Sequence, residues 1–160
     1  MLDSLAGTTA GKMLVTFILS MVPVTELRIA LPYALVSLHL SWPLAFLASV
    51  LGNVFPVPFI VTYIQEIFRW LREHLPKLDA FITRLETRAG AKGERVRKYG
   101  PIGLLLFVAI PLPGTGAWTG SLIAALLGIK PRTAFFWILV GVIIAGCIVS
   151  LATFGVIHIV

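Results

Sequence analysis

Residues 111–118 read PLPGTGAW, and they interrupt an apolar stretch, Pro101 to Ile129, that is otherwise long enough to cross a bilayer as one helix. Two prolines and two glycines fall within residues 111–116. Proline removes a backbone donor and clashes with the preceding turn, and glycine is unfavourable in a helix interior, so the helix breaks here. At membrane depth no water repairs the lost hydrogen bonds. Irregular backbone is tolerated there only where protein encloses it or where it lines a wet cavity, so the break predicts a cavity. Thr115 is expected to cap a half-helix starting at Gly116, with its free N–H groups and positive dipole end pointing inward.

A related interruption, at Pro23, Glu26, Arg28 and Pro32, divides the first apolar segment, Met13 to Leu40. The segments from Pro43 to about Ile67 and from Thr133 to Val160 are apolar enough to span, with kinks expected in the former at Asn53, Pro56 and Pro58. Spanning a ~30 Å hydrocarbon core takes ~20 helical residues. The pieces around PLPGTGAW, Pro101 to Ile110 and Ala117 to Ile129, have ten and thirteen residues. Met13 to Val22 and Ile29 to Leu40 are similar half-crossings. Both interrupted segments fit re-entrant hairpins.

Composition agrees with a membrane setting. Of 160 residues 58% are hydrophobic and only 12% charged, with a mean hydropathy of +0.97. The chain reads as a single multi-pass domain of the cell membrane, with no room for a soluble catalytic domain. Its net charge of +6 does not point to nucleic acid, because nine of thirteen Lys/Arg fall between Arg69 and Lys98. A basic loop between membrane segments marks the cytoplasmic side. If both broken segments are hairpins, Lys130 and Arg132 share that side and only Lys12 lies outside. Trp42 and Trp70, 28 residues apart, are separated by ~42 Å of helix and suit the two interfaces.

The division expected is a first repeat over 1–68, a basic linker over 69–98 and a second repeat over 99–160. A shift of ninety residues lays Pro23, Glu26, Arg28 and Ala34 over Pro113, Gly116, Trp118 and Ala124, and Gly52 falls within one residue of Gly141. With one hairpin entering from each side, this is the pattern of an inverted repeat whose broken helices meet at the midplane. In the linker, Leu78, Ile82, Leu85 and Ala89 recur at helical spacing beside Phe81, with Lys77, Arg84, Arg88 and Arg95 around them, as in a helix resting on headgroups and ended by Gly90 and Gly93.

Two facing helix N-termini attract anions, phosphate especially. Thr25 stands to the half-helix at Glu26 as Thr115 stands to that at Gly116. Intramembrane charges cost roughly 2.5–3.5 kcal/mol at a helix centre, so Glu26 and Arg28 each need a partner or a task. Either they form a pair that staples the hairpin tip, or Arg28 grips an anionic headgroup while Glu26 takes up a proton, since an ionised carboxylate beside phosphate is repulsive. Residues two apart point to different helix faces, so direct pairing needs unwound backbone. Trp118 either walls the cavity or packs against the opposite hairpin.

Other features are bland. Cys147 excludes an intramolecular disulfide and reads as a small buried hydrophobe. His39, His74 and His158 follow no metal spacing and suit interfaces. The first twelve residues show no signal-peptide pattern, so the first apolar segment is read as mature protein. No GxSxG, HExxH or P-loop occurs, and neither an enzyme, a metal nor a cofactor is expected.

ELRIALPYAL at 26–35 and KYGPIGLLLFVAIPLPGTGAWTGSLIAALLGI at 98–129 resemble the small multidrug export protein family of bacteria and archaea, itself similar to the DedA/VTT membrane protein superfamily. That resemblance implies paired re-entrant hairpins with acidic and basic residues in them. It implies either drug export or movement of polyprenyl-phosphate carriers. The chain departs from the DedA pattern in placing Trp118, not Arg, opposite Arg28. The combined expectation is an all-α integral membrane protein of DedA/VTT-like architecture, a homodimeric, flippase-like transporter of an anionic lipid carrier such as undecaprenyl phosphate, coupled to protons through Glu26. Its binding site comprises Thr25, Glu26, Arg28, Pro111, Pro113, Gly114, Thr115, Gly116 and Trp118. The alternatives are a proton-coupled exporter of small cationic or amphipathic compounds, with Glu26 binding the cargo, and a non-transporting membrane scaffold.

Overall fold

The computed structural model describes residues 7–112 and 114–159. Residues 1–6, Pro113, Val160 and the side chains of Arg95, Ile157, His158 and Ile159 lie outside the described set, so the readings made for them are not developed. The described residues are all-helical: α1 (Thr9–Met21), α2 (Glu26–Val36), α3 (Trp42–Val54), α4 (Val57–His74), a 3-10 turn (Pro76–Leu78), α5 (Asp79–Lys92), α6 (Glu94–Ala109), α7 (Ala117–Leu126) and α8 (Pro131–Ile159).

Local chemistry sets most boundaries. Thr8 caps α1 by accepting from the Gly11 N–H at 3.1 Å. Proline occupies the first turns of α3 and α4, where its missing donor costs nothing. The expected kink of the second segment falls at Phe55–Pro56, between α3 and α4. In α6 the helix bends at Gly100, whose φ of 61° and ψ of −143° lie outside helical space, just before Pro101. Gly128, with φ 67°, follows the end of α7 in the left-handed conformation that terminates helices.

Two stretches are long and apolar enough to cross a membrane: Trp42–His74, formed by α3 and α4, and Pro131–Val156 in α8. They run antiparallel, since the Trp42 indole donates to the Ser150 hydroxyl at 2.9 Å while Phe46 lies against Gly146. Around this pair, α1 packs most closely on α3 and α6 on α8. The two remaining half-length helices cross over: α2 reaches α8, and α7 lies on α4, where Gln65 donates to the Ala125 carbonyl.

Small residues bring these backbones together. A Cβ added at Gly52 would strike the Phe17 backbone, and one at Gly141 would meet Val108 at 2.9 Å and the Leu105 carbonyl at 3.0 Å. Both glycines, related by the ninety-residue shift to within one position, therefore hold a half-helix against a long one. The outward faces are apolar, as lipid requires: Leu51, Phe55, Phe59 and Ile148 are all exposed.

Three expectations are corrected. Cys147 is exposed on the outer face of α8 beside Ile148, not buried, because its neighbours Gly146 and Ala145 take the packed face. The linker helix continues through Gly90 and ends at Gly93. It also does more than rest on a surface: Ile82 and Ala89 are buried, and α5 packs on α7.

Candidate functional site

The two breaks lie together. The first, residues 22–25, turns tightly: the Glu26 N–H donates to the Val22 carbonyl at 3.0 Å, and Thr25 Oγ1 donates to the Leu19 carbonyl. Glu26 itself has a φ of +46°, a left-handed conformation costly for a side-chain-bearing residue and typical of functional positions. The second break, residues 110–116, is wider, and Gly114 supplies its positive φ of 75°.

Thr25 stands at the N-cap position of α2, as expected, but neither threonine caps the following helix with its side chain. The N-cap of α7 is Gly116, with the helix beginning at Ala117, one residue later than expected. Thr115 Oγ1 instead lies 2.7 Å from the Ile110 carbonyl and 2.8 Å from that of Leu112, and it accepts from the Leu112 N–H at 3.2 Å. Thr25 likewise reaches back to α1. At both breaks the hydroxyl satisfies carbonyls left open by the helix that ends, and the N–H groups of the helix that starts are left for other partners.

Glu26 is the partner at α7. The residue is 6% exposed, and its carboxylate lies where a Cβ at Gly116 would be, at the N-terminal turn of α7 beside the Trp118 backbone N–H. An anion on a helix N-terminus is favourable. The anion site read from the sequence is thus already filled, by a side chain from the other break. Arg28 crosses the same way: it donates to the Leu112 carbonyl and, at 2.8 Å, to Thr115 Oγ1. Among the described residues the direct ion pairs are those of Arg72 with Asp79 and Glu86, so Glu26 and Arg28 do not pair with each other.

The return contact comes from Trp118, whose indole N–H donates to the Met21 carbonyl at 2.9 Å. Arg28 and Trp118 occupy equivalent places in the ninety-residue shift, and each donates to a carbonyl at the opposite break. Sequence reasoning missed Lys92, whose ammonium donates to the Gly114 carbonyl at 2.9 Å. No local signal separates it from the other linker cations.

Two cavities share Arg28. One, of about 310 Å³, sits at the breaks and is lined by Thr25, Glu26, Arg28, Pro111 and Gly114. The other, of about 490 Å³, runs from Arg28 and Pro111 between α2 and α8, with apolar walls of Pro32, Val36, Ile148 and Val156. Of the site expected from the sequence, Thr25, Glu26, Arg28, Pro111, Gly114, Thr115, Gly116 and Trp118 all gather here, and Pro113 lies outside the described residues.

Two antiparallel apolar stretches long enough to cross a membrane, apolar outward faces, and Glu26 and Arg28 brought to the meeting of two helix breaks are the features of a membrane protein. A family model described as "putative small multi-drug export protein" matches residues 26–148, well over half of the chain, which therefore belongs to that family. No curated protein and no solved structure matches it.

Proposed function

We propose that this protein is a transporter that moves an amphipathic anion with a phosphate headgroup, a polyprenyl phosphate such as undecaprenyl phosphate, across the cell membrane in exchange for or together with protons. The observation that carries this reading is the placement of Arg28. It opens on both the polar cavity at the breaks and the apolar groove along α2 and α8, so a headgroup and a hydrocarbon chain find complementary walls from one guanidinium outward. Its present partners, a carbonyl and a hydroxyl, are neutral acceptors that a phosphate outcompetes through charge-assisted, bidentate hydrogen bonds.

Glu26 supplies the coupling. Ionised, it holds the N-terminus of α7 and repels an incoming phosphate; protonated, it no longer competes for that dipole. The reciprocal bonds of Arg28 and Trp118, the backward bonds of the two threonines and the matched glycines support an inverted repeat of DedA/VTT type as the frame of this exchange. The reading includes a homodimer, which native mass spectrometry in detergent tests directly. It also places the basic linker in the cytoplasm. Impermeant thiol reagents should label cysteines introduced at Lys12 from outside and those at 69–98 and Lys130 from inside, in a Cys147→Ser background. A cytoplasmic Lys12 with an external Lys130 replaces the hairpins by four plain spans.

A second reading, proton-coupled export of small cationic or amphipathic compounds, is favoured by the family description and by the buried Glu26 carboxylate. One experiment separates the two. For a phosphate-headed cargo, Arg28→Ala abolishes binding of fluorescent polyprenyl phosphate at every pH. Wild-type binding strengthens as pH falls, and Glu26→Gln keeps strong binding with no pH dependence. Wild-type-like lipid binding by Arg28→Ala, with cation efflux lost in Glu26→Gln, establishes the multidrug reading instead.

A further inference from the structure

Arg28 is not the sole cation at the second break. A further cavity, of about 650 Å³, opens between the linker and α6. Leu106, Phe107, Ile110 and Leu112 give it an apolar wall, and Lys92 and Glu94 stand at its linker side. Thr115 also lines it, and the same Thr115 hydroxyl accepts from Arg28. Leu112, Gly114 and Thr115 are therefore held by two cations from different parts of the chain, Arg28 on Leu112 and Thr115, and Lys92 on Gly114.

The geometry points to a second headgroup site at Lys92, which takes the phosphate of a prenyl-phosphate lipid while its chain lies along Leu106, Phe107 and Ile110, and which hands the headgroup to Arg28 past Thr115. The cargo class rests on the reading proposed above; the site itself rests on this cavity and on the ammonium placed in it. Lysine carries three donors, and one of them reaches the Gly114 carbonyl, a neutral acceptor that an ionised phosphate oxygen displaces. The second break carries no cation of its own, and Lys92 provides one from the linker. Glu94 opposes the anion from within the same cavity. It weakens binding there, as a site that must pass its ligand on requires.

The test uses the full chain in nanodiscs of phosphatidylcholine, titrated with farnesyl phosphate, inorganic phosphate and farnesol. Wild type binds two equivalents of farnesyl phosphate. Lys92→Gln loses one of them, with affinity at that site falling roughly tenfold or more, as for a lost charge-assisted hydrogen bond. Lys92→Arg retains both, and Glu94→Gln tightens the Lys92 site, an effect that a purely structural tie between linker and loop does not produce. Two undiminished equivalents in Lys92→Gln overturn the inference, and inorganic phosphate bound as tightly as farnesyl phosphate overturns the lipid as occupant. A single equivalent removed by Arg28→Ala and untouched by Lys92→Gln overturns the Lys92 site alone. Loss in Lys92→Gln with no change in Arg28→Ala upholds the Lys92 site and overturns the role given to Arg28, and no binding by wild type overturns both.

Discussion

The first break is short, locally closed and followed at once by two charged residues of α2, whereas the second is wide, rich in proline and glycine and without an ionisable side chain. The first closes its backbone locally except at Met21, whose carbonyl accepts from Trp118, and it sends two charges across: Glu26 to the N-terminus of α7, Arg28 to the Leu112 carbonyl and Thr115. The second depends on those imports, together with Lys92 on Gly114. The reason is visible where equivalent positions meet. Glu26 and Gly116 stand in each other's space, and only one of them has room for a side chain. The meeting of these two positions, ninety residues apart, thus forces difference in the residues. A carboxylate on one side requires a glycine on the other.

The sharpest way to break this comparison is to fill Gly116. Gly116→Ala displaces the Glu26 carboxylate from its N–H partner and is expected to destabilise by about 3 kcal/mol, through overpacking and the stranded acid together. In a Glu26→Ala background the same substitution costs under about 1 kcal/mol, because the space has been vacated. Thermal unfolding of the four proteins in detergent measures the coupling, and additive effects would mean that the two residues do not share the site.

A smaller contrast separates the threonines. Thr115→Val loses a hydroxyl shared among Ile110, Leu112 and Arg28 and should cost about 2 kcal/mol, while Thr25→Val loses one bond to Leu19 and should cost about 1 kcal/mol. Equal losses would show that the second break does not rely on its threonine more than the first does. The least effect is expected from Trp118→Phe, which keeps the ring and removes the single bond to Met21, at about 1 kcal/mol or less. Linkage between the breaks is then read from Arg28→Ala combined with Trp118→Phe. A combined loss larger than the sum of the two separate losses shows that the two reciprocal contacts back each other up.

The amino-acid sequence by itself determined the membrane class, the two long helices and both interruptions, because these follow from local properties: apolar run length, proline without an N–H, glycine without a Cβ. It also singled out Glu26 and Arg28, since charge inside an apolar run is conspicuous wherever it ends up. Their partners were decided only by tertiary structure. The hydroxyls of Thr25 and Thr115 turned backward instead of forward, onto carbonyls of the preceding segment, and at α7 the Glu26 carboxylate already lay at the N-terminus. Lys92 looked like one more linker cation, and only the packing of α5 on α7 carries it to Gly114. Cys147 and its neighbours are equally apolar, and the face turned toward α3 is set by where Phe46 meets Gly146. Local propensity can say where a helix stops. What satisfies the backbone groups it leaves open depends partly on residues some ninety positions away, Arg28 for Leu112 and Trp118 for Met21, and those come within reach only in the packed fold.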